Sequence, residues 1–218
     1  MKVIIFGTRD LAQLAKFYLE SDTEHEVVAF TAHSAYLPES KSYLDLPVIP
    51  FEDLETSYPP KKYSLFAPIT GQNLNKFREK IYLDGKKKGY DFVSYVSTRA
   101  TVLTDSIGEN CFILEDNTIQ PYVQIGNNIV AWSGNHFGHH SIIKDHVFVT
   151  SHVVISGHCK IDSYSWFGVN STIADGTYIA EGTVVAMGSV ITKDTDAYGL
   201  YMGVPGKKQA KSSLDVKL

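Results

Sequence analysis

Residues 132–149 read WSGNHF GHHSII KDHVFV, three six-residue units that each end in an apolar side chain. A period of six is neither the 3.6-residue period of a helix nor the alternation of a strand, and a fixed period of this kind indicates stacked repeats, each a short strand followed by a turn. The spacing is unbroken through half of the chain, at Ile107, Ile113, Ile119, Ile125, Ala131, Phe137, Ile143, Val149, Ile155, Ile161, Phe167, Ile173, Ile179, Val185 and Ile191.

The residues between these register positions support the same interpretation. Two positions before each register residue the side chain is mostly small or β-branched, so strand alternation directs both positions inward. Between them lie residues that form turns at little cost, such as Gly108, Asn110, Asp116, Asn127 and Gly176. The repeat therefore predicts a parallel β-helix.

Composition limits the functions that the chain can have. Its 218 residues are 44 % hydrophobic, enough for one large core or two small ones. The net charge of −4 carries no basic excess, so nucleic acid is not an expected partner. No signal-like or bilayer-spanning stretch is present, so we expect a cytoplasmic protein without membrane insertion. Cys111 and Cys159 fall at inward positions and are interpreted as reduced core thiols.

The first 96 residues follow a different pattern, in which apolar strands alternate with amphipathic helices. This alternation predicts a small parallel α/β domain at 1–96, followed without a long linker by the β-helix at 97–218. Ligands of such domains bind at the carboxyl ends of the strands, so Gly7, Thr8 and Arg9 are candidate contacts. Because Arg9 stands where a nucleotide-binding loop would have a second glycine, a plain turn is an equally good interpretation. The predicted strands are 2–6, 26–30, 46–51, 64–69 and 92–96.

Three features together resemble the hexapeptide-repeat acyltransferases: the repeat, the segment WSGNHFGHHSIIKDH at 132–146, and the closing GVPGK at 203–207. The two-part layout is similar to the subgroup of the sialic acid O-acetyltransferases and the bacterial UDP-amino-sugar N-acetyltransferases. The resemblance implies a left-handed β-helix, an exception to the right-handed crossover rule, behind a Rossmann-like domain that binds a sugar or nucleotide. It also implies a homotrimer that uses acetyl-CoA as co-substrate and needs no metal.

The resemblance further implies three strands per coil, so that residues 18 apart stack at about 4.8 Å. The register residues then form three walls, each containing every eighteenth position. The first wall runs from 107 to 179, the second from 113 to 185 and the third from 119 to 191. A contiguous apolar stripe on the second wall predicts a contact between subunits, unless the N-terminal domain or the C-terminal tail covers it. That stripe consists of Phe112, Val130, Phe148, Trp166 and Val184.

Histidines are concentrated in the same segment. His140 and His158 are 18 residues apart and should stack at one corner, which they share with His139 and, one coil beyond it, Gly157. A neutral imidazole beside a backbone N–H that no side chain shields supplies a general base and an oxyanion donor. His146 and His152 hold the same turn position at the other two corners and are interpreted as solvated turn residues.

The family that the chain resembles uses a histidine in a coil turn to deprotonate the attacking sugar amine or hydroxyl, and a glycine N–H one coil further on to bind the oxyanion. The aligned residues are His139 and Gly157. His140 stands where close relatives carry an acid beside the base, so it either shares the role of His139 or changes its orientation. CoA runs between neighbouring subunits in these trimers, and the similar positions here are Phe148, Gly157, Val169, Met187, Pro205 and Lys207.

The acceptor is expected at the carboxyl edge of the N-terminal sheet. Thr31, Ala32 and His33 replace the aspartates that contact the nucleotide in the amino-sugar enzymes. The acceptor is therefore expected to be a different nucleotide sugar, or a sugar presented without a nucleotide. The candidate acceptor contacts are Gly7, Thr8, Arg9 and His33.

These features predict direct transfer of an acetyl group from acetyl-CoA to a sugar amine or hydroxyl, in surface polysaccharide or glycoconjugate synthesis. Two other functions fit part of the pattern. A metal-dependent hydratase, like the carbonic anhydrases built on the same type of coil, would use the histidines as zinc ligands. A non-catalytic sugar-nucleotide sensor would keep the repeat only for assembly.

Overall fold

The computed structural model describes all residues 1–218, which form an N-terminal part and a C-terminal part. The N-terminal part comprises β1 (Lys2–Phe6), α1 (Asp10–Asp22), β2 (Glu26–Ala32), β3 (Ser42–Tyr43), β4 (Leu46–Pro50), α2 (Leu54–Ser57), β5 (Ser64–Phe66) and α3 (Lys76–Lys87). The strands form one sheet in the order β3-β4-β2-β1-β5, parallel except for the β3–β4 pair. None of the helices is both long and apolar enough to cross a bilayer.

The N-terminal sheet is covered on both faces, which is why its strands are nearly continuous apolar runs. In β1 only Lys2 is exposed. The helix α1 buries Ala12, Ala15 and Leu19 against one side of the sheet. The helix α3 contributes Ile81 to a second cluster on the other side.

The C-terminal part is a left-handed parallel β-helix with three walls. The first wall consists of β10 (Gln124–Ile125), β13 (Ile142–Ile143), β16 (Lys160–Ile161) and β19 (Tyr178–Ile179). The second consists of β6 (Tyr95–Val96), β8 (Phe112–Ile113), β11 (Val130–Ala131), β14 (Phe148–Val149), β17 (Trp166–Phe167), β20 (Val184–Val185), β22 (Gly199–Met202) and β23 (Lys207–Ser212). The third consists of β7 (Thr101–Val102), β9 (Thr118–Ile119), β12 (His136–Phe137), β15 (Val154–Ile155), β18 (Thr172–Ile173) and β21 (Val190–Ile191).

The predicted 18-residue stacking is confirmed for the register residues at 107–191, whereas Tyr95 pairs with Phe112 at a step of 17 and Val184 with Leu200 at a step of 16. Phe148 pairs with Trp166, for example, and His136 with Val154. All register residues except Ile107 are buried in one continuous core. The two free cysteines, Cys111 and Cys159, belong to the same core. The turn residues between strands adopt positive φ, which Asn, Asp and His tolerate better than most side chains do.

The segment 92–96, predicted as the last strand of the N-terminal domain, is divided between the two parts. Phe92 forms a bridge to Leu65 of the N-terminal sheet. Tyr95–Val96 pairs instead with Phe112–Ile113 and begins the second wall. The two domains are thus joined by continuous strand structure.

The N-terminal domain covers the second wall, so the prediction that the apolar stripe contacts another subunit is wrong. Phe112, Val130, Phe148 and Val184 are at most 6 % exposed within the single chain. The first three pack in one cluster with Val3, Phe30 and other residues of the N-terminal sheet and with α1. The stripe was apolar because it is an interface between domains of the same chain, the alternative that the sequence left open.

The prediction of a solvated turn residue is also wrong for His146, although His152 is exposed as expected. His146 is 7 % exposed because α3 docks on its corner. Its Nδ1 lies 2.9 Å from Nδ2 of Asn128, and its ring stacks on Tyr164 with centroids 5.3 Å apart. Burial lowers the pKa of His146, against the opposing effect of Glu79 on α3.

Candidate active site

The predicted histidine corner forms between the third and first walls. His140 and His158 stack with ring centroids 5.0 Å apart and an interplanar angle of 16°. The ring of His139 stands edge-on to both, at 5.3 Å from His140 and 4.9 Å from His158. All three side chains are exposed, so a substrate can reach them.

Gly157 lies buried directly beneath the ring of His139, as the 18-residue offset predicts. A Cβ atom at this position would come within 2.8 Å of Cε1 and 3.0 Å of Nε2 of His139, and within 2.9 Å of the Asp175 carboxylate. The approach of the imidazole therefore requires glycine. No group of the chain accepts a hydrogen bond from the Gly157 N–H. The corner thus places an imidazole nitrogen close to a backbone N–H that has no partner within the chain.

Two neighbours orient the imidazole of His139. The backbone N–H of His139 donates to Oε1 of Gln120, 2.8 Å away, which fixes the start of the turn. The Nδ1 atom lies 3.2 Å from Nδ1 of His140, close enough for one ring to donate to the other. His140 therefore occupies the orienting position beside Nδ1, while Nε2 of His139 faces Gly157. An imidazole held in this way is suited to general base catalysis.

Three residues of this corner were not predicted, although the same period would have located them. Tyr122 lies 18 residues before His140 and stacks on it, with centroids 4.7 Å apart. Asp175 lies 18 residues after Gly157. Gln120 lies 19 before His139. Tyr122 and Asp175 continue the columns of His140 and Gly157 on the adjacent coils, and Gln120 is one residue away from the column of His139.

The predicted CoA contacts divide into two groups. Val169 and Met187 are exposed at the corner between the second and third walls, where the N–H of Gly188 donates to the Val169 carbonyl. Pro205 and Lys207 are exposed in the tail, which the Gly206 N–H attaches to the carbonyl of Val190 at the end of the third wall. These four residues therefore lie toward the C-terminal end of the β-helix, where a long ligand could contact them together.

Phe148 does not belong with the other predicted CoA contacts. It is 6 % exposed beneath the N-terminal domain, with its ring parallel to Trp166 and the Arg78 guanidinium 5.5 Å from its centroid. A ligand could reach it only by displacing that domain. Its apolar side chain follows from domain packing, so Phe148 is not part of the candidate site.

The predicted acceptor contacts do lie together, at the carboxyl ends of β1 and β2. Gly7 has a φ of 116° and donates to the carbonyl of Thr31, and Thr8 and Arg9 follow it into α1. His33 lies 2.9 Å from Glu52, a carboxylate that the sequence analysis missed. Burial opposes the ionisation of Glu52, but its hydrogen bonds, including those from Ser34 and His33, lower its pKa to about 2. A fixed negative charge therefore stands at this edge.

The acceptor edge and the histidine corner do not meet within one chain. In a three-walled prism, the corner between the third and first walls lies opposite the second wall, and the N-terminal domain covers the second wall. Val169 and Met187 occupy yet another corner, separated from the histidines by the width of the third wall. A single chain thus holds the candidate residues in three separate places.

Solved structures with a similar fold include acetyltransferases. A variant of perosamine N-acetyltransferase from Caulobacter crescentus, in complex with CoA and GDP-perosamine, matches with a TM-score of 0.84 and 20 % identity, over 97 % of this chain and 98 % of that one. The acetyltransferase domain of PglB from Neisseria gonorrhoeae, in complex with acetyl coenzyme A, gives 0.82 and 16 % over 95 % and 98 %. WeeI from Acinetobacter baumannii gives 0.80 and 19 % over 96 % and 100 %.

At these identities the similarity establishes the fold, and it confirms the predicted left-handed β-helix. No protein-family model matches the chain, and no curated protein sequence matches it.

Proposed function

We propose that the protein transfers an acetyl group from acetyl-CoA to an amine or hydroxyl of a sugar. The observation that carries this proposal is the imidazole of His139 lying against Gly157, whose N–H has no acceptor in the chain. Acyl transfer needs a base for the attacking atom and a donor for the developing oxyanion, and both stand here side by side. Two acetyltransferase structures that share the fold, one with CoA and GDP-perosamine and one with acetyl coenzyme A, support the same class of reaction.

The reaction follows from these two groups. Nε2 of His139 takes the proton from the acceptor nitrogen or oxygen as that atom attacks the thioester carbonyl. The Gly157 N–H donates to the oxyanion of the tetrahedral intermediate. The C–S bond then breaks, and the imidazolium returns its proton to the departing CoA thiolate. His140 orients His139 through the Nδ1 contact and is a positioning residue in this scheme.

We also propose that the working form is a homotrimer with composite sites. The acceptor edge, the histidine corner and the CoA positions are separated within one chain, so a complete site requires residues from neighbouring copies. A closed ring of three copies would bring the histidine corner of one subunit close to two regions of the next subunit. These are the corner with Val169 and Met187 and the acceptor edge with Gly7 to Arg9. Each ring would contain three equivalent sites between subunits.

The acceptor is proposed to be a nucleotide-linked sugar, used in the cytoplasm for surface polysaccharide or glycoconjugate synthesis. The structure in complex with GDP-perosamine shares the fold over nearly the whole chain. Arg9 could pair with the diphosphate at the start of α1, and Glu52 could accept from sugar hydroxyls. The acceptor pocket therefore includes Glu52 in addition to Gly7, Thr8, Arg9 and His33.

The base is tested by measuring release of CoA thiol with acetyl-CoA and a panel of nucleotide-linked amino and hydroxy sugars. His139→Asn should reduce kcat by about a thousandfold, since general base catalysis contributes 10²–10⁴-fold. His152→Asn is the matched control, because His152 is an exposed turn histidine of a different corner. Equal losses in the two variants contradict the assignment. Binding of the nucleotide sugars without any transfer by the wild type would favour the sensor function.

The composite site is tested by mixing subunits. His139→Ala removes the base, and Arg9→Glu repels the acceptor phosphates at the other candidate location. Co-expressed with different tags, the two variants should form mixed trimers in which about one third of the sites combine an intact edge with an intact base. Recovery of activity in mixed trimers, absent from either parent, is the expected result. No recovery in trimers of verified mixed composition refutes the composite site.

A further inference from the structure

The histidine corner contains a group of nitrogen ligands that acetyl transfer does not need as a group. His139, His140 and His158 each offer one ring nitrogen, and these three atoms lie within 4.8 Å of one another. We call these residues the three-imidazole cluster. No other group of three imidazole, thiol or carboxylate ligands in the chain comes this close together. All three rings are exposed, so a cation has a direct path to them.

The spacing of the cluster is close to that of a metal site. Zinc binds imidazole nitrogen at about 2.0–2.1 Å in tetrahedral sites, so neighbouring ligand nitrogens stand roughly 3.4 Å apart. Nδ1 of His139 and Nδ1 of His140 are already 3.2 Å apart. His158 needs a rotation of its exposed ring to bring its nitrogen into the same shell. Three imidazoles suit Zn²⁺, Cu²⁺ and Ni²⁺ rather than Mg²⁺ or Ca²⁺.

We propose that the three-imidazole cluster binds a borderline divalent cation such as Zn²⁺, with the fourth coordination position open to water. Coordination through Nδ1 of His139 leaves the proton of the neutral ring on Nε2, so that nitrogen can no longer accept a proton from the acceptor. The cation is therefore an inhibitor of acetyl transfer and not a cofactor. The inhibition rests on the proposed function, whereas the binding does not.

His158 allows metal binding to be tested separately from acetyl transfer. In the proposed reaction His158 contacts neither the acceptor nor the thioester, but it supplies the third ligand of the cluster. His158→Asn should therefore weaken Zn²⁺ binding while transfer continues. Asparagine suits the site, since His158 has a φ of 56° and Asn adopts positive φ readily. His152→Asn is the matched control, with a φ of 59° in the same turn position and no part in the cluster.

The experiment is a calorimetric titration of Zn²⁺ into the full-length protein and both variants, in a buffer that does not chelate metals. One site per chain is expected for the wild type and for His152→Asn. His158→Asn should bind Zn²⁺ at least about tenfold more weakly. Loss of a group that hydrogen-bonds a metal ligand already costs about this much affinity, and loss of the ligand itself should cost no less. Equal affinity in all three proteins, or no site in the wild type, overturns the proposal.

Two further measurements make the outcome independent of how well the variant folds. Co²⁺ bound to the wild type should show the intense visible bands of tetrahedral coordination, and weak octahedral bands would contradict the assigned geometry. Zn²⁺ should inhibit acetyl transfer in the wild type, with the inhibition constant raised at least about tenfold in His158→Asn. Stimulation of transfer by Zn²⁺, or hydration of CO₂ by the Zn²⁺ form, would overturn the inhibitory role. If no acceptor is found, the binding data still decide the metal site.

Discussion

Replacement of Arg78 by methionine should weaken the attachment of the N-terminal domain to the β-helix. The Arg78 side chain is fully buried at the interface between the domains, with no carboxylate beside it. Its Nε donates to the Asn128 carbonyl at 3.2 Å, and its two terminal nitrogens donate to the carbonyls of Ile69 and Val147 at 3.1 Å each. One side chain of α3 thus connects a loop of the N-terminal domain to two coils of the prism.

The expected change in the free energy of unfolding depends on which carbonyls keep a hydrogen-bond donor when Arg78 is replaced. The Val147 carbonyl also accepts from the Val130 N–H, so it remains paired without Arg78. The carbonyls of Asn128 and Ile69 have no other donor in the chain. The orphaned carbonyl of Asn128 is buried and that of Ile69 is partly buried, and an unpaired buried carbonyl costs about 1–3 kcal/mol. Part of this is offset because burial disfavours the charged guanidinium, lowering its pKa to about 9. We expect Arg78→Met to reduce the free energy of unfolding by about 3 kcal/mol.

Urea unfolding at a fixed protein concentration measures this loss. Fluorescence is a suitable signal, because Trp132 and Trp166 pack against the cluster between the domains. Arg99→Met is the control: Arg99 is largely exposed, and its nearest carboxylate contact, to Glu115, is 3.7 Å. That change should cost at most about 0.5 kcal/mol. The reasoning fails if Arg78→Met unfolds within about 0.5 kcal/mol of the wild type.

Two further predictions concern the site and the dependence on pH. Gly157→Ala should reduce kcat by about a hundredfold or more with little change in the melting temperature, because the added methyl displaces the exposed imidazole of His139 but no core residue. A variant with wild-type kcat contradicts the placement of the base against Gly157. Burial lowers the pKa of His146, so the folded state binds this proton less readily than the unfolded state does. Stability should therefore be retained above pH 6.5 and lost as the pH falls through the lowered pKa. The loss should be smaller in His146→Asn. Identical pH profiles of unfolding for the wild type and the variant would exclude this contribution of His146.

The sequence was sufficient for the features that depend on the repeat alone. The six-residue period placed every register residue, and the 18-residue step brought His139, His140, His158 and Gly157 to one corner. These contacts are determined by backbone geometry, which the same spacing imposes on every coil.

The features that the sequence did not determine depend on how the two domains dock. An apolar column shows that the second wall is covered, but its composition is the same whether the cover is another subunit or the N-terminal domain. His146 and His152 hold equivalent turn positions, yet only His146 is buried, because α3 lies over its corner. Phe148 fell at a position suggested by resemblance, and the same docking removed it from the site. Contacts between distant segments leave no periodic signal.

The docking of the N-terminal domain also restricts how the β-helix can vary in length. The domain is attached from Thr98, which bonds Asp22 of α1, up to Trp166, which packs under Gly71. The histidine corner lies inside that span, so inserting or deleting a coil there would shift the corner relative to its attachments. Coils added beyond Trp166, in multiples of 18 residues, would leave both unchanged and move the tail at 203–207 outward by about 4.8 Å each. The length of the β-helix can therefore change only by whole coils, and only on the C-terminal side of Trp166.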